Sequence, residues 1–249
     1  MQKQRIAIVT GASKGIGAGC ARELAANGYA LALMSRSESV VEVAEELGAV
    51  AVKGSVTEQA DINRLVDTTI EKYGRIDVVI NCTGNASYAT NPVSSGYDPE
   101  PDTHLLDIPD ADWHAALDLY FLNVVHMARA VTPHFQKQRH GAIVNVTSFC
   151  AVESTPFFPT DSSIRSALSG FTKLYADRYA PEGIRMNNLV LGYIDNYTYA
   201  EPLLGHIPMG RAGKLRDEIA KTAAFLLSEH AGYITGQNIV VDGGLIRAP

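Results

Sequence analysis

Ile6-Ala7-Ile8-Val9-Thr10-Gly11-Ala12-Ser13-Lys14-Gly15-Ile16-Gly17, leading into Cys20-Ala21-Arg22-Glu23-Leu24-Ala25, reads as a strand, a glycine-rich turn and a helix. Glycines let the backbone turn sharply and approach a bulky anion with no Cβ in the way. The free N–H groups and positive dipole end of the following helix attract that anion, so the stretch has the makings of a phosphate cradle. Its spacing, Gly-x-x-x-Gly-x-Gly, is looser than the usual dinucleotide fingerprint, and the same residues also fit a tight turn without ligand. Its place directly behind the first strand of an α/β chain favours the cradle.

Outward from this stretch, short β-rich runs at 6–9, 30–34, 49–52, 78–81, 142–146, 185–191 and 238–241 alternate with helical patterns at 15–26, 38–47, 59–72, 110–138, 161–180 and 214–228. The strands are almost wholly apolar rather than alternating, as expected when helices cover both faces of a parallel sheet. The pattern predicts an α/β fold with a doubly wound parallel sheet, whose ligands sit beyond the carboxyl ends of the strands. No repeat or linker divides residues 1–249, so one domain is expected. Two irregular stretches, 85–107 and 192–213, each follow a strand at that ligand-binding edge. They read as substrate loops, or as solvent loops and subunit contacts. Tyr88, Tyr193, Tyr197 and the pair Phe157 and Phe158 suggest an aromatic lining, although aromatics beside a core also serve packing.

Composition narrows the function classes. A chain of 249 residues with 46% hydrophobic and 19% charged residues is an ordinary globule long enough for a large core. Its net charge of −6 and lack of a Lys/Arg cluster argue against nucleic acid or an anionic membrane surface as partner. No apolar run has the length of a membrane span, and the start Met1-Gln2-Lys3-Gln4-Arg5 runs into a short strand, unlike a signal peptide. Three well-separated cysteines, Cys20, Cys82 and Cys150, suit a reducing cytoplasm better than a disulfide framework. Seven histidines without ligand spacing give a metal site no support.

At this point the chain resembles the short-chain dehydrogenase/reductase family along essentially its full length. The matching pieces are 10–17, Asn81-Cys82-Thr83-Gly84, Ile143-Val144-Asn145-Val146-Thr147-Ser148, Gly183-Ile184-Arg185-Met186-Asn187 and the run 233–244 ending Val241-Asp242-Gly243-Gly244. Each is modest alone, but five in the right order are specific. The resemblance implies a single Rossmann-type domain, a nicotinamide cofactor and a homo-oligomer, tetramer or dimer; a small-molecule substrate is expected, but the resemblance does not by itself identify it. It also implies a cofactor site built from Gly11, Ser13, Lys14, Ile16 and Gly17, from Asn81, Thr83 and Gly84 on the ribose side, and from Gly192 and Ile194. Ser55 and Val56 would lie beside the adenine, although an Asp is usual where Ser55 stands.

Cofactor choice follows from charge. The second strand ends Leu33-Met34-Ser35-Arg36-Ser37, where an acidic residue would accept from a free ribose 2′-hydroxyl and repel a 2′-phosphate. Ser35 takes the acid's place, Arg36 follows and Lys14 is nearby. Two cations and a hydroxyl favour NADP(H) over NAD(H), because a guanidinium fork pairs well with phosphate. The competing reading makes Arg36 a solvated surface cation.

The catalytic half departs from the family pattern of Ser, Tyr and a Lys four residues on, supported by an Asn. Ser148 fits, but Asp161 stands at the Tyr position, Arg165 at the Lys position and Tyr120 at the Asn position. The usual Pro-Gly after the sixth strand is Leu191-Gly192. A carboxyl ionises about six units below a phenol, and a guanidinium four residues on favours its charged form. A carboxylate cannot donate a proton to a developing alkoxide and opposes the charge forming there. Ordinary carbonyl reduction is therefore expected to be impaired.

Three roles remain open for Asp161: counter-ion to a cationic acceptor, base, or proton donor in a closed apolar site. A purely structural ion pair with Arg165 is the plain alternative. Arg165 can keep the usual lysine's place at the nicotinamide ribose, and Tyr120 can supply a phenol if it reaches the substrate. Ser148 is expected at the substrate oxygen, or else as a cap of the next segment. The sequence thus predicts an NADP-dependent oxidoreductase with an atypical proton-donor arrangement, acting on a C=N, a conjugated C=C or an unusual carbonyl. Its competitor is a regulatory or degenerate cofactor-binding protein without turnover; a lyase or isomerase fits less well.

Overall fold

The computed structural model describes residues 4–83, 105–199 and 201–247. Seven strands form one parallel sheet: β1 (Ile6–Thr10), β2 (Ala30–Ser35), β3 (Val50–Lys53), β4 (Val78–Cys82), β5 (Gly141–Ser148), β6 (Ile184–Leu191) and β7 (Asn238–Val241). Their order is β3-β2-β1-β4-β5-β6-β7, so the direction of winding reverses between β1 and β4. The expected doubly wound architecture is therefore the observed one.

The inner strands β1, β2, β4, β5 and β6 bury both faces because their apolar residues face helices on either side, while the edge strands β3 and β7 are partly exposed. One layer holds α1 (Gly15–Ala26), α2 (Ser39–Leu47) and α8 (Lys221–Leu227), with Val9, Leu33, Ile80 and Val144 packed beneath them. The other holds α3 (Gln59–Tyr73), α5 (Asn123–Gln138) and α6 (Pro159–Tyr179), over Ile8, Met34, Val79 and Ile143. The short helices α4 (Asp110–Leu117) and α7 (Glu201–Leu204) lie outside these layers' main cores.

Two expected helices are broken. The span 110–138 consists of α4, a wider π turn over Asp118–Leu122 and then α5, while 214–228 opens with a π turn at Leu215–Ala220 before α8. In the first, the π turn leaves the Leu119 carbonyl to accept from Asn123 Nδ2 and, at 3.2 Å, from Thr83 Oγ1. Strand β5 runs two residues further than its apolar pattern indicates, so Ser148 ends the strand. Of the 85–107 stretch, only 105–107 is described, as a short 3-10 turn, and Tyr88 lies outside the described residues.

The second layer's face of the sheet carries a row of amides. Asn81, Asn145, Asn188 and Asn238 occupy paired register positions on β4, β5, β6 and β7. Asn81 Nδ2 donates to Asn145 Oδ1 at 2.9 Å, Asn145 Nδ2 to Asn188 Oδ1 at 3.0 Å, and Asn188 Nδ2 to Asn238 Oδ1 at 2.8 Å. Helix α6 joins the row: Thr172 Oγ1 donates to Asn188 Oδ1 at 2.9 Å, and Ser169 pairs with Asn238. Buried amides need partners, and here they find one another.

Candidate active site

A cleft of about 1040 Å³ opens at the carboxyl ends of the strands. Its floor at one end is the glycine-rich turn. Gly11 (φ +61°) lies so close to β4 that a Cβ would stand 2.1 Å from the Cys82 carbonyl oxygen, and a Cβ at Gly17 would stand 2.3 Å from the Gly11 oxygen. Helix α1 starts after Lys14 with no side-chain cap and no acid in its first turn. Its N–H groups are thus available to an anion, and the glycines clear the approach.

The tip of β2 borders this cradle. Ser35 Oγ donates to Ser13 Oγ at 2.9 Å, tying strand to turn, and Arg36 and Lys14 are exposed on the cleft wall. The acid nearest in sequence, Glu38, is ion-paired with Lys53 at 2.5 Å. Ser55 and Val56 also line the cleft, and Ser55 N donates to Asp61 at 2.8 Å. That bond, first among several influences, holds the Asp61 carboxyl below its usual range.

Ser148, Asp161, Arg165 and Tyr120 meet at the other end of the cleft. Arg165 Nε donates to Asp161 Oδ1 at 3.2 Å, its NH1 to Thr147 Oγ1 at 3.4 Å, and its guanidinium carbon lies 3.9 Å from the Tyr120 ring centre. Burial disfavours the Arg165 charge, but Tyr120 and Asp161 outweigh it and raise its pKa above the ordinary value. Tyr120, 1% exposed, thus lies as a platform under the guanidinium. The π turn at 118–122 is what carries it there. Of the ion pair, the carboxylate is the more open member, with 16% side-chain exposure against 9% for Arg165.

Ile16, Thr83, Gly192 and Ile194 line the cleft as well. Two expected cofactor residues do not. Asn81 is 3% exposed and its side chain belongs to the amide row, because its strand position faces α6 rather than the cleft. Ser37 is exposed beyond the tip of β2, sharing a hydrogen bond with Ser39. Gly84 lies outside the described residues.

Several lining residues escape sequence reasoning. Thr147 sits beside Ser148 and holds Arg165. The Cys150 thiol lies beside Ser148 and Ser162, and burial, against the pull of Arg165, keeps it above the usual thiol range. Cys82, also on the cleft wall, is pushed up to about 12 by burial. Asn196 stands over Gly15 with its Oδ1 covered and lacking a hydrogen bond among the described residues. Its only sequence signal was position, five residues past β6. The aromatic lining is a continuous wall: Phe158, Phe149, Tyr193 and Tyr199 follow one another at centroid spacings of 6.3, 5.5 and 4.9 Å. Burial raises the Tyr193 and Tyr199 pKa values, so both phenols stay protonated.

Among the described residues no helix is long and apolar enough to cross a membrane, and no three His, Cys, Asp or Glu side chains are grouped to hold a metal. All three cysteines are free and buried.

This strand order, with an open helix start at the winding reversal, defines a Rossmann-type protein. A family model described as enoyl-(acyl carrier protein) reductase matches residues 11–246. A 3-oxoacyl-[acyl-carrier-protein] reductase of Synechocystis sp. is 34% identical over 255 residues, covering 97% of each protein. The 3-oxoacyl-[acyl-carrier-protein] reductase FabG of Thermotoga maritima is 31% identical, covering 97% of this chain and 98% of the relative. The solved structure of the TT0495 protein from Thermus thermophilus matches with a TM-score of 0.83 at 32% identity, over 97% of this chain and 99% of the other. The chain belongs to the short-chain dehydrogenase/reductase family.

Proposed function

We propose that the protein is an NADP(H)-dependent oxidoreductase that reduces a C=N, a conjugated C=C or an unusual carbonyl of a small molecule. The observation that carries this reading is one continuous cleft joining the anion cradle at α1 to the polar group Ser148, Asp161 and Arg165. The bound nicotinamide would supply hydride. The glycine turn and the uncapped α1 start hold the pyrophosphate, and Arg36 with Lys14 binds the 2′-phosphate. Arg165, fixed by Tyr120, Thr147 and Asp161, donates to the nicotinamide ribose. Ser148 hydrogen-bonds the acceptor group.

Relatives named as 3-oxoacyl-[acyl-carrier-protein] reductases support the same hydride chemistry, while Asp161 at the usual Tyr position argues for a different proton route. Replacement of both the Tyr and the Lys also favours a second reading, cofactor binding without turnover.

Two measurements separate these. Fluorescence titration should show NADPH binding more tightly than NADH, and Arg36→Glu should weaken NADPH by about 10- to 100-fold while sparing NADH. Equal affinities in the wild type would remove Arg36 from cofactor choice. Cofactor oxidation with imines, enones and ketones should then give turnover that falls in Ser148→Ala. Tight NADPH binding with every acceptor inert would establish the second reading instead.

A further inference from the structure

Resting on that oxidoreductase reading, we propose that the acceptor is a cation, a protonated imine or iminium, held with Asp161 as its counter-ion against the aromatic wall. The carboxylate is placed for this. Arg165 engages only Oδ1, and no hydrogen bond among the described residues reaches Oδ2. The guanidinium is turned away onto the Tyr120 ring and Thr147, leaving the carboxylate as the more open charge. Phe158 lies three residues before Asp161, and Phe149 directly follows Ser148. The ring series thus shares the cleft with both polar groups of the site. A carboxylate and aromatic rings lining one cleft are the elements that recognise organic cations, through charge pairing and the negative ring faces.

The chemistry fits the missing phenol. Reduction of a carbonyl builds negative charge on oxygen and needs an acid, whereas an iminium already carries the proton or alkyl group that activates it. Hydride adds to the carbon, the C=N π pair moves onto nitrogen, and the products are a neutral amine and NADP⁺. Electrons and charge balance with no proton donor. Asp161 selects the cation from solution and holds an imine protonated in the site; Ser148 orients it.

The test compares acceptors of one shape: N-methyl-3,4-dihydroisoquinolinium, permanently cationic, and 1-tetralone, its neutral carbonyl counterpart. Expected is a kcat/KM for the iminium about tenfold or more above that of the ketone, with Asp161→Asn raising the iminium KM by a similar factor and by more than it weakens NADPH binding. A readout without turnover is calorimetric binding of the non-reducible N,N-dimethyltetrahydroisoquinolinium to the NADP⁺ complex, which Asp161→Asn should weaken to the same extent. Turnover of the ketone or of enones with an inert iminium would overturn the cationic substrate class and leave the oxidoreductase reading standing. An iminium reduced equally well by Asp161→Asn would also overturn it. Failure to bind NADPH, or NADPH binding with all acceptors inert, would overturn both.

Discussion

Gly11→Ala is expected to cost about 4 kcal/mol or more of stability and to abolish NADPH binding, read from urea unfolding midpoints and cofactor titration. Two causes act together. The added Cβ would sit 2.1 Å from a backbone oxygen of Cys82, and φ at +61° is itself unfavourable for a residue with a side chain. The carbonyl cannot retreat, because β4 is paired on both edges, with β1 and with β5. Either the turn lifts off β4, dispersing the α1 N–H groups that form the cradle, or the sheet parts at its centre. Gly28→Ala is the control: its φ is +82°, but nothing lies within 4 Å of the added atom. It should lose only about 1 kcal/mol. Equal losses in the two variants would show that backbone strain, and not the contact with β4, governs Gly11.

The second large effect is expected at Asn145→Ala. The Asn145 side chain makes three hydrogen bonds, accepting from Asn81 and donating to Asn188 and, at 3.4 Å, to Thr172. Truncation strands the Asn81 amide at 3% exposure, leaves the buried Asn188 Oδ1 with Thr172 as its remaining donor and opens a small cavity. Each unsatisfied buried group costs about 1–3 kcal/mol, so a total near 3–5 kcal/mol is expected by chemical denaturation. A loss below about 1 kcal/mol would mean that water enters and replaces the amide.

What the sequence disclosed was what is local. The cradle was legible because strand, glycines and helix start are contiguous, and the sheet because strands covered on both faces are apolar runs. The direction of the Asn81 side chain was not, because its partner Asn145 is 64 residues away, and only strand pairing shows that it faces α6. The break at 118–122 was hidden for the same reason: helical spacing continues through it, and the widened turn is held by Thr83 on a neighbouring strand's end. Asp161 and Arg165 were legible as an i,i+4 pair. Their contacts with Tyr120 and Thr147 were not, and those contacts decide which way the guanidinium points.

Helix α6 carries Asp161 and Arg165 at one end and, eleven residues beyond Asp161, the Thr172 that is fastened to the amide row. It therefore works as a lever with its fulcrum on the sheet. Eleven residues of helix span about 16 Å, so a tilt of about 5° at Thr172 would swing Asp161 by roughly 1.4 Å. Displacements near 1 Å are enough to change rates by about a hundredfold. The placement of the Asp161 end thus depends on the distant Thr172 anchorage as well as on the Thr147 contact beside it.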